Sequence, residues 1–368
     1  MSITEIDVER ERPPENLYVL IMAGGRGTRF WPLSRRSRPK QCLTVVGERS
    51  LIRQTVDRLD GLVPKERILV ITAEEMATAV IDELPDLPGE NILVEPMGRN
   101  TAPCVGWGAT VVGRLAGGSD AVMAVLPADH LIHNEEGFRQ QLRECAAAAR
   151  ETNSLVTVGV SPTRPETGFG YLHVGGFRGR WGDSELRSVS RFVEKPNLEL
   201  AKEYLAGGEH LWNAGMFIFS VEAIRDAFRN YLPESWGLLE QLRIDPGLVG
   251  YIYPKLEAIS LDYGIMERAA QVLTVEAHFD WSDLGGWVAL GDELDECEMG
   301  RARVADSLSI DSSENIVFAP GKSVALIGVE GLVVVDTEDA LLICRKEDAQ
   351  RIKEVTSLAE ARERLDLL

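Results

Sequence analysis

The sequence predicts an α/β protein with a Rossmann-like, mostly parallel sheet, followed by a small β-rich C-terminal unit. Three observations predict this fold. Short apolar runs alternate with stretches of helical spacing through the first 160 residues, which is the pattern of a parallel sheet covered by helices. The pattern changes after about residue 162, and the composition shifts again after Gly300. We therefore predict two domains, at residues 1–298 and 299–368.

The elements of the first domain follow one another at short intervals. Strands are expected at five apolar runs: LYVLIM (17–22), RILVIT (67–72), NILVE (91–95), AVMAVLP (121–127) and LVTVGV (155–160). Helices are expected at 50–59, 74–84, 102–115 and 135–150. Sheets of this kind bind ligands beyond the carboxyl ends of their strands. The segments after the first and fourth strands are therefore predicted to lie at the same edge.

The segments after residue 161 follow a different pattern of strands, loops and helices. Residues 162–220 contain strands and loops (GFGYLHVGG, VSRFVEKP, GMFIFS), and we expect a lid or a substrate-binding insertion there. Two helices are expected at 221–231 and 233–243. The tail contains short strands separated by turns, in RARVADSLSI, NIVFAPG, SVALIGVEGLVVVDT and ALLICRK, and a helix from about 347. The turn spacing resembles that of a β-helix, although no repeat of fixed period stands out.

Composition argues against several classes of function. The 368 residues carry a formal net charge of −19, which argues against a broad nucleic-acid-binding face. The apolar runs are too short to span a bilayer, and the N-terminus lacks an apolar signal region, so we expect a cytoplasmic protein without membrane association. The five cysteines are scattered without CxxC spacing, which argues against a disulfide framework and a zinc site.

One segment stands apart from this acidic background. Residues 22–41, MAGGRGTRFWPLSRRSRPKQ, contain six basic side chains, and no acidic residue occurs from 17 to 46. The segment is not a P-loop, and it is not a GxGxxG fingerprint because Phe30 takes the place of the third glycine. Glycine turns expose backbone N–H groups to anions, and guanidinium groups bind phosphate oxygens in pairs. We therefore predict that this segment binds a polyphosphate.

The same segment resembles the signature of the sugar-nucleotide pyrophosphorylases, G-x-G-T-R-x-x-P-L followed by P-K. Further segments resemble that family in the same order: EPMGRNTAP (95–103), LPADH (126–130), FVEKP (192–196), WNAGMF (212–217) and WSDLGGW (281–287). The details are most similar to the mannose-1-phosphate guanylyltransferases. The resemblance implies a nucleotidyltransferase that converts GTP and mannose 1-phosphate to GDP-mannose and pyrophosphate.

The resemblance also implies roles for residues around the phosphates. The nucleotide would lie on the glycine loop, at Ala23, Gly24, Gly25, Gly27 and Thr28. Arg29 and Lys40 would neutralise phosphate charge. Asp129 and Asp283 would hold Mg²⁺ between the nucleotide α-phosphate and the sugar phosphate, in keeping with the preference of hard cations for carboxylates.

Sugar recognition is implied in other motifs. Glu194 would contact the sugar hydroxyls and Lys195 the sugar's phosphate, with Gly170, Asn213 and Gly215 completing the pocket. Alternation along a strand sends Glu194 and Lys195 to opposite sides unless the chain bends before the next residue, a proline. The structural alternative is a surface ion pair.

Base recognition is expected in EPMGRNTAP. Gly98 resembles a position where the backbone meets the base, and Arg99 or Asn100 could contact O6 of guanine. From hydrogen-bonding capacity alone, Glu95 could accept from the donor edge of guanine. The alternative is a loop in which Asn100 or Thr101 only caps a helix.

Two other functions remain open on the sequence. One is a sister enzyme that uses UTP or dTTP, or glucose 1-phosphate, because the core motifs hardly distinguish these substrates. The other is a regulatory subunit that binds GDP-mannose without making it. The presence of Arg29, Lys40, Asp129 and Asp283 argues against the second. A homodimer formed through the β-rich tail is a further expectation.

Overall fold

The computed structural model describes residues 16–296 and 307–368. A nine-stranded sheet forms its centre. The strands are β1 Leu17–Met22, β2 Ile68–Ala73, β3 Ile92–Glu95, β4 Val122–Pro127, β5 Leu155–Val160, β6 Gly170–Trp181, β7 Ser184–Glu194, β8 His210–Ser220 and β9 Val272–Glu276. Their order across the sheet is β3-β2-β1-β4-β8-β5-β9-β7-β6.

Helices cover the sheet. In the described part of the chain the α-helices are α1 Leu51–Asp57, α2 Ala77–Glu83, α3 Thr101–Leu115, α4 Glu135–Thr152, α5 Leu198–Gly207, α6 Val221–Tyr231, α7 Pro233–Ile244, α8 Val249–Ile252, α9 Trp287–Glu296 and α10 Ile352–Ala361. Within the two described ranges, no helix is long and apolar enough to cross a membrane.

The predicted α/β fold is confirmed, and the strand pairing refines it. β1 is parallel to β2 and β4, and the backbone N–H of Ala128 donates to the carbonyl of Met22 at 3.1 Å. The loops that follow β1 and β4 therefore leave the sheet side by side, as expected. Beyond β4 the sheet is mixed, because β8 is antiparallel to β4 and β5 while β5 and β9 are parallel.

Residues 162–220, expected to form a lid or a substrate-binding insertion, do not form a lid, and the second alternative stays a prediction. β6, β7 and β8 are paired strands of the central sheet, with β6 joined to both β7 and β8. In the outer part of the β6–β7 hairpin the residues of β6 are exposed or half-buried, whereas Ser184 and Leu186 of β7 are buried. Leu186 belongs to an apolar cluster shared with the rest of the sheet. This segment therefore extends the central sheet with three further strands.

The C-terminal unit is β-rich, as predicted. Its strands are β10 Ser307–Ile310, β11 Ile316–Phe318, β12 Val324–Ile327, β13 Leu332–Asp336 and β14 Leu341–Arg345. β10 pairs in parallel with β12, and β11 with β13, which is the pairing expected of successive turns of a β-helix. The predicted boundary at 298/299 and the start of RARVADSLSI lie outside the described residues, so that boundary stays a prediction.

A shared apolar core joins this unit to the segment after the glycine loop. Trp287 is fully buried, and its ring centroid lies 5.3 Å from Phe30 and 5.3 Å from Phe318. The indole N–H of Trp31 donates to the carbonyl of Leu367 at 2.9 Å. The conformation of residues 28–36 therefore depends on the C-terminal unit as well as on the sheet.

Candidate active site

The glycine loop leaves β1 in a conformation that only glycine accepts. Gly27 has a φ of +59°, and a Cβ at this position would lie 2.2 Å from the Cβ of Lys40. The hydroxyl of Ser34 donates to the Gly27 carbonyl at 2.8 Å. Glycine allows both the left-handed backbone and the direct contact between this loop and Lys40.

The basic side chains of this segment divide into two groups. Three pair with acids elsewhere in the chain: Arg26 with Glu75, Arg35 with Asp339 and Arg36 with Glu360. Among the described residues, Arg29 and Arg38 have no acidic partner within ion-pair distance, and both side chains are exposed. Arg29 is therefore free to meet an anionic ligand.

Lys40 links the two segments that carry the predicted metal-binding residues Asp129 and Asp283. Its Nζ donates to Oδ2 of Asp129 and to the backbone carbonyl of Asp283, both at 2.7 Å, and only 8% of its side chain is exposed. Burial acts to raise the pKa of Asp129, but the Lys40 ammonium outweighs it and leaves that pKa below its ordinary value. Asp129 is thus ionised and accessible, with 34% of its side chain exposed.

A backbone bridge explains how residues so distant in the sequence meet. The N–H of Leu131 donates to the carbonyl of Ser282 at 2.9 Å, and the reverse bond measures 3.1 Å. The indole of Trp281 also donates to Nδ1 of His130 at 3.1 Å. Burial lowers the pKa of His130 to about 4, so His130 is neutral at pH 7 and acts as a hydrogen-bonded neighbour.

Asp283 carries charge that its surroundings do not fully compensate. Burial raises the pKa of Asp283; Lys40 opposes this shift, and the carboxylates of Asp129 and Glu166 add to it. No cluster of three or more His, Cys, Asp or Glu side chains in residues 16–296 and 307–368 is arranged to hold a metal. A carboxylate pair suits Mg²⁺ nonetheless, since Mg²⁺ commonly takes one or two carboxylates and completes its shell with water and substrate phosphates.

Two cavities meet at Asp283. The first, of about 240 Å³, brings together Arg29, Arg164, Glu166, Gly285, Asp292 and Gln350. Arg164, Glu166 and Gln350 had no role in the sequence analysis, because they lie in a loop without a recognised motif and in the C-terminal unit. The free guanidinium of Arg29 thus lines the same space as Asp283.

The second cavity, of about 230 Å³, contains the residues predicted to bind the sugar. Its lining includes Gly170, Glu194, Asn213 and Gly215, together with Asp283. A Cβ at Gly170 would lie 2.6 Å from Oε2 of Glu194, so a larger residue there would displace that carboxylate. Lys195 does not line this cavity directly.

The chain bends at Lys195, which meets the condition derived from strand alternation. Lys195 has a φ of +49°, and its Nζ donates to Oε1 of Glu194 at 2.6 Å. Glu194 is largely buried whereas 57% of the Lys195 side chain is exposed. Burial acts to lower the pKa of Lys195, but the Glu194 carboxylate outweighs it and raises that pKa. The ion pair exists, and its ammonium remains accessible.

The EPMGRNTAP loop is engaged mainly with protein. Glu95 is buried and accepts a hydrogen bond from the hydroxyl of Tyr253, and burial raises the pKa of Glu95. Arg99 donates to the carbonyl of Pro254. Oδ1 of Asn100 accepts from the backbone N–H at the start of α3 at 2.9 Å, which is the capping role considered as the alternative. The guanine contacts of Glu95, Gly98, Arg99 and Asn100 stay predictions.

Asp262 also lines the second cavity, and the sequence analysis missed it. Its Oδ1 accepts from Nδ2 of Asn213 at 3.1 Å. Burial and the nearby Glu194 carboxylate raise the pKa of Asp262 to about 6, against the opposing effect of Lys195. A lone acid within the apolar stretch ISLDYGIM was the available signal.

A glycine loop with a free arginine, facing a carboxylate pair at the edge of an α/β sheet, defines a nucleotidyltransferase. Sequence comparison agrees, because residues 18–298 match the nucleotidyl transferase family and residues 306–357 match the MannoseP isomerase/GMP-like beta-helix domain. The chain belongs to the nucleotidyl transferase family and, within it, to the mannose-1-phosphate guanylyltransferases related to ManC.

Two curated relatives support that assignment. The mannose-1-phosphate guanylyltransferase of Escherichia coli K12 is 38% identical over 94% of this chain and 74% of its own length. ManC of Salmonella typhimurium is 38% identical over 94% of this chain and 73% of its own length.

Two solved structures resemble the fold. A crystal structure from Thermus thermophilus, described as a mannose-1-phosphate geranyltransferase, has a TM-score of 0.83 and 34% identity, covering 94% of this chain and 99% of that one. A Helicobacter pylori mannose-6-phosphate isomerase has a TM-score of 0.57 and 23% identity, covering 73% and 99%. The second likeness concerns the fold alone.

Gly27→Ala tests the contact between the glycine loop and Lys40. We expect this change to lower the free energy of unfolding by about 1–3 kcal/mol, because it places a side chain in left-handed backbone and against Lys40. Urea denaturation measures the change. Gly25→Ala is the matched control, since nothing lies within 4 Å of a Cβ there, and a loss equal to that of Gly27→Ala would contradict the analysis.

Asp262→Asn tests the electrostatic state of the second cavity. In the folded chain Asp262 keeps its proton up to about pH 6, whereas its ordinary pKa is 3.8. Ionisation of this group therefore costs stability progressively as the pH rises from about 4 to 7. We expect Asp262→Asn to raise Tm more at pH 8 than at pH 5. Asp226→Asn on α6 is the control. If Asp262→Asn raised Tm equally at pH 5 and pH 8, the pKa of Asp262 would not be raised in the folded chain.

Proposed function

We propose that the chain acts as a mannose-1-phosphate guanylyltransferase through the site formed around Lys40. A phosphate oxygen of mannose 1-phosphate attacks the α-phosphorus of GTP in line. The bond from that phosphorus to the bridging oxygen of the β-phosphate breaks, and GDP-mannose and pyrophosphate form. The observation that carries the proposal is that Lys40 joins the segments of Asp129 and Asp283 where the two cavities meet.

The reaction makes a specific demand on the protein. The sugar phosphate loses its second proton near pH 6, as phosphate monoesters do, so the nucleophile needs no general base. The two substrates are polyanions that repel each other, and the barrier is one of charge and positioning. The chain must therefore supply fixed positive charge near the α- and β-phosphates while keeping the sugar in place.

Lys40 and Arg29 can supply that charge. A lysine ammonium has three donors, and the protein uses two of those of Lys40. The third would contact a phosphate oxygen. Arg29, free of acidic partners in the described part of the chain, would bind the leaving pyrophosphate as a two-pronged donor. Gly24, Gly25 and Thr28 would present the loop backbone to the nucleotide.

The carboxylate pair fits a magnesium ion. Asp129 and Asp283 would hold it, because the two carboxylates disfavour each other's ionisation and Lys40 leaves their charge only partly neutralised. When bound, the ion would neutralise oxygens of both substrates and lower the repulsion between them. Asp283 lines both cavities, so an ion held there would lie between the two proposed substrate sites.

The second cavity suits the sugar phosphate. Glu194 would accept hydrogen bonds from sugar hydroxyls, and the accessible ammonium of Lys195 would meet the phosphate. Gly170 leaves room for the Glu194 carboxylate, and Gly215, in a left-handed conformation with a φ of +68°, would let a ligand approach the backbone closely.

A substrate panel tests this function. Pyrophosphate release is measured for GTP, UTP and dTTP, each with mannose 1-phosphate and glucose 1-phosphate, with and without Mg²⁺. We expect the highest kcat/KM for GTP with mannose 1-phosphate, and turnover only with the metal. A preference for UTP or dTTP would identify a sister enzyme, and binding of GDP-mannose without any turnover would identify a regulatory protein.

Asp283→Asn tests the carboxylate pair. We expect kcat to fall at least roughly 100-fold, because a metal ion contributes several kcal/mol of charge stabilisation in the transition state. The initial rate of pyrophosphate release at saturating Mg²⁺ measures the effect. Asp292→Asn is the matched control, since Asp292 lines the same cavity on α9 without a proposed role. A near-normal rate for Asp283→Asn would remove Asp283 from the mechanism.

Lys195→Ala tests the sugar-phosphate side. We expect the KM for mannose 1-phosphate to rise roughly tenfold or more, because a charge-assisted hydrogen bond is lost, while the KM for GTP stays unchanged. Steady-state kinetics with each substrate varied in turn measures both constants. Lys202→Ala, an exposed lysine on α5, serves as control. A rise in the GTP constant alone would place Lys195 at the nucleotide instead.

A further inference from the structure

Two acids line the second cavity besides Asp283, and they differ in how their charge is compensated. Glu194 pairs with Lys195 at 2.6 Å, whereas Asp262 forms no ion pair with any described residue. The lining of the cavity includes both carboxylates, and the charge of Glu194 raises the pKa of Asp262. A partly buried carboxylate of this kind is stabilised by a donor, and the described residues supply Asp262 with one side-chain donor, Nδ2 of Asn213.

The neighbouring amide cannot substitute for Asp262 as an acceptor. Oδ1 of Asn213 already accepts from the hydroxyl of Thr157 at 2.9 Å and from the N–H of Gly215 at 3.3 Å. Its Nδ2 donates to Asp262 at 3.1 Å. The amide is therefore held in one orientation, with its acceptor oxygen engaged. Asp262 and Glu194 are therefore the carboxylate acceptors that remain beside this amide for a sugar hydroxyl that donates its proton.

The backbone holds Asp262 firmly at this place. The N–H of Leu261 donates to Oγ1 of Thr101 at 2.8 Å, and the N–H of Ala102 donates to the carbonyl of Ile259 at 3.1 Å. Both bonds tie the segment to the start of α3. Asp262 opens the helical turn Asp262–Met266, whose last three residues are buried. The position of its carboxylate is thus set by a rigid element.

We propose that Asp262 is a specificity-determining residue that accepts a hydrogen bond from one hydroxyl of the hexose 1-phosphate, next to Glu194. This inference rests on the proposed function and deepens it on the sugar side. A substrate that lacks that hydroxyl leaves a partly buried carboxylate without its donor. Sites built to bind a substrate hydroxyl reject the analogue without it far more strongly than apolar pockets reject a change in size.

Deoxy analogues identify the contact. kcat/KM is measured for mannose 1-phosphate and for its 2-, 3-, 4- and 6-deoxy analogues, with the wild type, Asp262→Asn and the control Asp226→Asn. We expect Asp262→Asn to lower kcat/KM for mannose 1-phosphate at least roughly tenfold, through the KM for the sugar phosphate and not that for GTP. With one of the deoxy analogues, wild type and Asp262→Asn should become equal.

Other results would overturn the proposal. A penalty of the same size with every analogue would show that Asp262 acts only on the shape of the cavity, and a normal kcat/KM for Asp262→Asn would show no role. Should Asp262→Asn fail to fold, as judged by circular dichroism, Asp262→Ser replaces it in the same measurements.

The proposed function fails separately from this inference. If the wild type prefers another hexose 1-phosphate, the function assigned above is wrong, and the deoxy series of that sugar then tests Asp262 by the same criterion.

Discussion

The site depends on a lysine held away from water between two segments. A buried ammonium is strongly destabilising unless it is paired and hydrogen-bonded, and Lys40 meets this requirement only with Asp129 and the backbone of Asp283 both in place. The same contact requires glycine at position 27, because no other residue leaves room for the Lys40 side chain. One buried cation therefore couples the glycine loop, the end of β4 and the loop before α9.

The C-terminal unit contributes to this arrangement from outside the sheet. Residues 28–36 pack against it through a shared apolar core and donate hydrogen bonds to the backbone of Leu367 and Leu368. The ion pairs of Arg35 and Arg36 lie on the surface and contribute little stability. They hold Arg35 and Arg36 against the C-terminal unit, whereas Arg29 remains unpaired among the described residues.

The two cavities differ in charge although they share Asp283. Arg29 and Arg164 line the first together with Glu166 and Asp292, whereas Glu194 and Asp262 line the second, to which the described residues contribute no lysine or arginine. The guanidinium groups of the first can bind phosphate oxygens, and the acceptors of the second suit uncharged hydroxyls. Asp283, whose backbone carbonyl accepts from Lys40, lines both. This asymmetry explains how a chain of net charge −19 can offer a local site for polyanions without an extended basic surface.

Local patterns in the sequence were sufficient for the strands that carry the site. The apolar runs of β1 and β4 follow from periodicity, and the glycine loop after the first follows from short-range chemistry. The later motifs were identified by their resemblance to a family. Strand alternation also stated the condition under which Glu194 and Lys195 could share a side, although only the backbone shows the bend.

Tertiary structure decided which side chains meet. The junction of Asp129 with Asp283 depends on the bridge between Leu131 and Ser282, the helix cap at Asn100 depends on how its loop folds, and Asp262 reaches the sugar cavity through bonds to α3. The Leu131–Ser282 bridge and the bonds between the Asp262 segment and α3 join parts of the chain more than a hundred residues apart. Their energies arise from burial and pairing that no single stretch of chain contains. Periodicity reports what one segment needs to bury, and the packed chain determines what it is buried against.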